Sequence, residues 1–167
     1  DIGFEGRPRT QALNYTANNH GGLVQLGDTW FVFYHRHTNF SWFSRQGCAE
    51  PLIRDGNGRF LQAEMTSSGL RNDLLPGAGT YSTSIACILR GPKGARPLAP
   101  LWPRWHSHPY LTQSGGDREG NGDQYVANVR DGAVVGFRYL DLSRSRSLSV
   151  DASATAPAAL LVSTELD

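Results

Sequence analysis

Alternating hydrophobic and polar positions dominate the first part of the chain and predict β-strands. The stretch GGLVQLGDTWFVFYHR contains two such runs around Gly27-Asp28, a pair typical of a tight hairpin turn. The second run has apolar side chains on both faces, which predicts a strand covered on both sides. A third strand is predicted over FSRQGCAEPLIR and a fourth over RFLQAEMTS, with the turn DGNG between them. Four such strands make one blade of a β-propeller, which needs neighbouring blades to cover its faces.

The second half has shorter strand patterns, separated by long stretches rich in glycine, proline and polar residues. Strands are predicted over YSTSIACIL, QYVANV, AVVGFRYLDL, SLSVDAS and AALLVSTEL. No helix is predicted. The expected fold is therefore all-β, with about one propeller blade at residues 1–70, a linker at 71–79, and a partial β-sandwich over 80–167.

Composition narrows the classes of function. The 16 basic and 15 acidic residues give a net charge of +1, so the chain lacks the electrostatic footprint of a nucleic-acid or anionic-membrane binder. No apolar run approaches the length of a membrane span. The chain starts at Asp1 and ends inside a strand pattern, so we expect a fragment of a longer, bacterial protein. Secretion and a cytoplasmic location both stay open.

Several residues have two interpretations at this stage. Cys48 and Cys87 either form a disulfide or are two buried thiols. His35 and His37 share one strand face, which suits a two-histidine metal pair, or they simply pack at a strand end. An acidic stretch either binds Ca²⁺ through its oxygens or forms a solvated turn; its residues are Asp117, Glu119, Asn121 and Asp123.

The motifs NNHGGLVQLGDTWFVFYHRHTN, FSRQGCAEPL and GRFLQAEMTSSG resemble the end of the catalytic domain of glycoside hydrolase family 43. That family is a five-bladed β-propeller that cleaves xylo- and arabino-saccharides. The resemblance covers about residues 1–70. The motif DREGN…QYVAN…DGA…GFRY is similar to a family 6 carbohydrate-binding module, a β-sandwich appended to some family members. The implied partner is an oligosaccharide or a plant cell-wall polysaccharide, and no cofactor is required.

The resemblance implies roles for two residues. His20 matches a histidine near the propeller axis, which in some members helps to hold a central metal ion or its waters. Arg45 matches an arginine that donates hydrogen bonds to the bound sugar. On this basis His20 is expected to group with Arg45 and to stand apart from His35 and His37. Trp42 either walls a sugar subsite or packs in the blade, and Phe43 is expected in the core.

No catalytic residue is assigned. An inverting glycosidase needs a general acid and a general base. The resemblance places both carboxylates before Asp1, so these 167 residues alone are predicted to be inactive. The alternative function is a non-catalytic carbohydrate-binding β-sandwich. Its binding surface would be a loop rich in aromatic and histidine side chains, which either bind sugar or cover the sandwich core; these residues are Trp102, Trp105, His106, His108 and Tyr110.

Overall fold

The computed structural model describes residues 3–15, 19–96, 107–115 and 123–166. The strands are β1 (Gly21–Leu26), β2 (Thr29–His37), β3 (Arg45–Leu52), β4 (Leu75–Pro76), β5 (Ile88–Arg90), β6 (Tyr110–Gln113), β7 (Gln124–Ala127), β8 (Val134–Gly136) and β9 (Leu140–Asp141). The described helical turns are of the 3-10 type, at Arg9–Gln11 and Thr83–Ile85. The prediction of an all-β fold is confirmed. Within the described ranges, no helix has the length and apolar character needed to cross a bilayer.

The first three strands form one antiparallel sheet in the order β1-β2-β3. The hairpin turn sets the register of the first pair, because Leu26 faces Thr29 and each step back along β1 moves one step forward along β2. Gly27 has φ +60°, a conformation that glycine adopts without strain. Between β2 and β3, His37 faces Arg45 and Trp30 faces Leu52. Arg45 lies in this sheet, His20 directly precedes β1, and Trp42 lies in the loop between β2 and β3.

The remaining strands form three short pairs. β5 pairs with β8 and β6 with β7, both antiparallel, whereas β4 pairs with β9 in parallel. Two hydrophobic clusters lie between these pairs and the N-terminal loop. One contains Ala12, Tyr15, Ala86, Leu89, Ala95 and Leu111. The other contains Leu13, Tyr34, Met65, Cys87 and Ile88.

Both clusters join the N-terminal segment to residues beyond the predicted linker. The amide of Leu89 donates to the carbonyl of Leu13 at 2.8 Å, and the amide of Ala95 donates to the carbonyl of Ala12 at 3.1 Å. Arg138 forms a largely buried ion pair with Glu5, with Nη1 3.0 Å from Oε1. The division at residues 71–79 stays a prediction, but it has to accommodate these contacts.

The predicted fourth strand of the blade is wrong. After one bridge between Arg54 and Phe60, the chain leaves the sheet. Two of its backbone amides donate to side chains instead. The amide of Met65 donates to Glu5 Oε1 and the amide of Thr66 donates to Glu50 Oε1, each at 2.9 Å. Two buried carboxylates thus take the place that a neighbouring strand would have.

The last two predicted strands, over 147–153 and 158–166, are also wrong. These residues are exposed and have no strand assignment. A pattern of alternation becomes a strand only when another strand supplies backbone partners, and the described residues supply none here. The other predicted strands of the second half form in part: 81–89 begins as a 3-10 turn before β5, and 133–142 is split into β8 and β9.

Candidate functional site

Three histidines and one arginine gather at one end of the three-stranded sheet. The register that places Gly21 opposite Tyr34 places His20 beside His35. The His20 and His35 rings are stacked with centroids 5.4 Å apart, and the His35 and His37 rings meet edge to face, also at 5.4 Å. Arg45 lies opposite His37. We call this surface, with Gly47 opposite His35, the histidine face.

The expectation that His20 stands apart from His35 and His37 is therefore wrong. The missed signal lay in the hairpin itself. With a two-residue turn at Gly27-Asp28, the numbers of facing residues add to a constant, since Leu26 faces Thr29. The same rule carried back to position 20 gives His35 as the neighbour of His20. The expected grouping of His20 with Arg45 belongs to this larger cluster.

Burial increases along the row of imidazoles. His20 is exposed, His35 is half-buried, and His37 is only 2% exposed. Burial lowers the pKa of His37, and the nearby His35 and Arg45 lower it further, while a hydrogen bond to the backbone of Trp42 opposes them. His37 Nε2 is buried without a hydrogen-bond partner among the described residues, so the bond to Trp42 is made by Nδ1. Burial therefore favours the neutral form of His37.

The connection between β2 and β3 is built by local hydrogen bonds. The amide of Thr38 donates to the carbonyl of Ser44 at 3.0 Å, and Asn39 has a left-handed φ of +52°. The amide of Asn39 also donates to the carbonyl of Leu111 at 2.9 Å, which ties this loop to β6. Tyr15 Oη donates to the carbonyl of His37 at 2.6 Å and fixes the end of β2.

The aromatic residues of this loop differ from the expectation in which of them are buried and which are exposed. Phe43 was expected in the core, but its side chain is 89% exposed. Phe40 is half-buried and packs against the core instead, and its ring contacts that of Tyr110, with centroids 5.3 Å apart. Trp42 is 46% exposed, and its backbone holds the ring of His37. Trp42 therefore sits at the edge of the histidine face with much of its ring accessible.

The opposite side of the same three strands carries a second polar cluster, which we call the glutamate face: Tyr34, Arg36, Gln46, Cys48 and Glu50. Glu50 is 1% exposed, and three donors bind its carboxylate. Tyr34 Oη and the amide of Thr66 each donate to Oε1 at 2.9 Å, and Thr66 Oγ1 donates to Oε2 at 2.6 Å. Burial raises the pKa of Glu50, and these hydrogen bonds lower it in part. Glu50 is a structural carboxylate.

Arg36 completes the glutamate face and has no carboxylate partner among the described residues. Its Nε donates to Gln46 Oε1 at 2.7 Å, Nη1 to the carbonyl of Ala86 at 2.5 Å, and Nη2 to the carbonyl of Ser84 at 2.6 Å. The guanidinium thus binds the sheet to the segment before β5. A shallow apolar groove at the far end of this side, lined by Leu23, Val32, Leu52 and Phe60, does not include any of the histidines.

The described residues do not fit a metal ion at this place. No group of three His, Cys, Asp or Glu side chains in the described ranges is arranged to hold one. Ca²⁺ prefers oxygen ligands, whereas the neighbours of His20 are imidazoles and a guanidinium. Of the acidic stretch, only Asp123 is described; Asp117, Glu119 and Asn121 lie outside the described residues. The metal role of His20 and a Ca²⁺ site both stay predictions.

The structure describes some of the other residues singled out from the sequence: both cysteines, His108 and Tyr110. Cys48 and Cys87 are free thiols, and burial raises the pKa of both. His108 is fully buried and stacks on Tyr15, with ring centroids 5.5 Å apart. His108 and Tyr110 therefore serve the core. Trp102, Trp105 and His106 lie outside the described residues.

Comparison with known proteins gives one informative relative. The chain is 38% identical over 149 residues to a protein named xylosidase/arabinosidase from Thermoclostridium stercorarium. The matched region is 86% of this chain but only 30% of that protein. No protein-family model matches the chain, and no solved structure matches it. The relation to a glycoside hydrolase is supported at this coarse level, whereas the particular hydrolase family and the appended binding module stay predictions.

Proposed function

We propose that this chain supplies sugar-contacting side chains to a glycoside hydrolase acting on xylo- and arabino-saccharides. The observation that carries the proposal is the 38% identity, over most of the chain, to a protein named xylosidase/arabinosidase. Because the chain spans only 30% of that relative, the hydrolytic activity is proposed for a longer protein. Its substrate would be an oligosaccharide or a plant cell-wall polysaccharide.

The histidine face supports this proposal through its chemistry. The guanidinium of Arg45 is exposed, and its fixed fork of donors suits two neighbouring hydroxyls of a sugar. His20 is also exposed, and a neutral imidazole offers one donor and one acceptor. Trp42 presents an accessible aromatic ring that can stack on the apolar face of a sugar. These three side chains would orient one sugar unit.

Hydrolysis with inversion needs two carboxyl groups about 6.5–9.5 Å apart on either side of the bond. The buried carboxylates among the described residues are already committed. Glu50 accepts three hydrogen bonds on the glutamate face, and Glu5 is ion-paired with Arg138. Neither lies on the histidine face. The acid and the base are therefore proposed to come from another part of the longer protein, and the 167 residues alone are expected to be inactive.

Two measurements on the purified chain test this function. Turnover of nitrophenyl xyloside and nitrophenyl arabinofuranoside should not exceed the buffer rate. Xylo- and arabino-oligosaccharides should bind, and Arg45→Ala should weaken binding about tenfold or more, the usual loss for a hydrogen-bonded charged contact. The matched control is Arg54→Ala, whose guanidinium covers the rings of Trp30 and Phe60 at the far end of the sheet.

Three results would contradict the proposal: clear turnover by the chain alone, the absence of sugar binding by a folded chain, or equal affinities of the two arginine variants. Binding that is unchanged in Arg45→Ala but shifts resonances of β6 and β7 would favour the alternative, a non-catalytic carbohydrate-binding surface in the second half of the chain.

A further inference from the structure

Gly47 is a strand glycine without a packing reason. A Cβ added at Gly21 would meet the carbonyl oxygen of Phe33 at 2.3 Å, and one at Gly136 would meet the side chain of Ile88 at 2.9 Å. A Cβ added at Gly47 would meet nothing within 4 Å. The backbone of Gly47 is not left-handed, so its conformation does not require glycine either. Glycine inside a strand weakens it and often marks a place where a ligand approaches the backbone closely.

The open space over Gly47 is bordered by polar side chains of the histidine face. His35 is its direct neighbour on β2, and Arg45 lies two residues earlier on the same side of β3. Beyond His35, the stacked ring of His20 continues the row onto β1. The space therefore has a backbone floor, an imidazole along one side and a guanidinium at one end.

Contact with His37 fixes the position of the His35 ring. His37 contacts it edge to face, and the ring of His37 is itself bound to the backbone of Trp42. His37 is buried, so it acts through His35 and is a positioning residue. His35 is half-buried and is the imidazole directly beside the open space. Ligand sites combine a surface on which the ligand packs with a few fixed polar groups, and the backbone of Gly47 and the imidazole of His35 offer this combination.

We propose that Gly47 is the floor of a recess for one sugar ring and that His35 is a second binding residue at its side. This inference rests on the proposed function and deepens it, because it identifies a residue that limits which sugars fit. The apolar face of the sugar would lie on the Gly47 backbone. Its ring hydroxyls would bind the imidazole of His35 and the guanidinium of Arg45.

The inference predicts a dependence of affinity on side-chain size at position 47. Gly47→Ala should weaken binding of xylo- or arabino-oligosaccharides about threefold, and Gly47→Val about tenfold or more, as expected when extra carbon atoms fill a closely fitted space. Gly22→Val is the matched control. Gly22 is also a strand glycine with nothing near an added Cβ, but it faces Phe33 and lies about 12 Å from Gly47 by strand geometry. It should change the affinity less than twofold.

The experiment is a titration of the full 167-residue chain and its variants with xylotriose and arabinotriose, followed by NMR. Binding is expected to shift the ring protons of His35 and the amide of Gly47 more than those of His37. Amide spectra show whether each variant is folded, and Gly47→Ala gives a milder change should Gly47→Val fail to fold. His35→Gln should weaken binding, while the His20 and Arg45 resonances keep their response to the sugar.

The outcomes separate the two proposals. If the folded wild-type chain binds neither sugar, the proposed function fails and this inference fails with it. If the wild-type chain binds but the affinities of Gly47→Ala, Gly47→Val and Gly22→Val all match it, only the recess over Gly47 is overturned. A graded loss at position 47 with an unchanged Gly22→Val supports the recess.

Discussion

The two faces of the β1-β2-β3 sheet both carry polar side chains, but in opposite surroundings. On the glutamate face, Arg36 and Glu50 are buried, and each side chain makes three hydrogen bonds to the protein around it. On the histidine face, His20 and Arg45 are exposed, and the space over Gly47 is open. Buried polarity with matched partners holds a fold together, whereas exposed polarity beside open space is available for a ligand. Substitutions on the two faces should therefore have different effects.

The largest effect is expected for Arg36→Ala. This change removes three hydrogen bonds and leaves the carbonyls of Ser84 and Ala86 without their guanidinium donor in a buried place. Loss of a buried charged group of this kind costs about 3 kcal/mol or more of unfolding free energy. Urea unfolding of the variant measures it. A loss no greater than that of the surface variant Arg54→Ala would show that Arg36 is not a structural residue.

The next effect concerns Glu50, where two substitutions should differ. Glu50→Ala leaves the hydroxyl of Tyr34 and the amide of Thr66 without an acceptor, and should cost about 2–3 kcal/mol. Glu50→Gln keeps an acceptor oxygen of the same shape and should cost about 1 kcal/mol or less. Thermal unfolding of both variants gives the comparison. Equal losses would mean that the shape of the side chain, and not its hydrogen bonds, stabilises this face.

A smaller effect should appear in the pH dependence of stability. The pKa of His37 is lowered in the folded chain, so unfolding takes up a proton once the pH falls below the unfolded value of about 6.5. The stability due to neutral His37 is therefore present above that pH and is lost on acidification. His108, whose pKa is also lowered by burial, acts in the same direction, and Glu50, whose pKa is raised, acts in the opposite one.

The free energy of unfolding, measured at pH 7 and at pH 5, tests whether acidification destabilises the chain through His37. The unfolding free energy lost between pH 7 and pH 5 should be smaller in His37→Gln than in the wild-type chain. The difference should not exceed the contribution of about one proton taken up on unfolding. Adding His108→Gln to His37→Gln should reduce this pH-dependent loss of unfolding free energy further. An unchanged loss in His37→Gln would show that His37 titrates in the folded chain as it does in the unfolded one.

The smallest effect on stability is expected for Arg45→Ala, within about 0.5 kcal/mol, because an exposed side chain away from caps and cores contributes little. The same variant should lose sugar binding. Urea unfolding and sugar titration on one sample therefore give opposite rankings for Arg36 and Arg45. A marked loss of stability in Arg45→Ala would blur the distinction between the two faces.

Local sequence signals were sufficient where both partners lay close along the chain. The Gly27-Asp28 turn gave β1 and β2, and the next apolar run gave β3. They failed where distant groups decided the outcome. The stretch after Phe60 does not continue the sheet, because Glu5 and Glu50 bind its amides. Residues 147–166 alternate like strands but are exposed and unpaired as strands within the described structure.

The candidate site was predictable in part for the same reason. His20 and Arg45 follow from a family resemblance and Trp42 from its position near Arg45, and the structure places all three at one end of one sheet. That His35 and His37 join His20 follows from the hairpin register, which the sequence contains. The open space over Gly47 depends on what does not pack there, and no sequence pattern reports this. Phe43 is apolar and is expected inside, yet it is exposed, and the half-buried Phe40 of the same loop packs against the core.

The two bonds of Asn39 have a consequence for how the chain responds to a ligand. Its amide donates to the carbonyl of Leu111, and its Oδ1 accepts from Thr112 Oγ1 at 3.1 Å, so one residue of the loop bearing Trp42 is fastened twice to β6. A sugar that restrains Trp42 would thereby slow amide hydrogen exchange along β6. The exchange rates of a strand in the second half of the chain would then report whether a sugar occupies a surface in the first half.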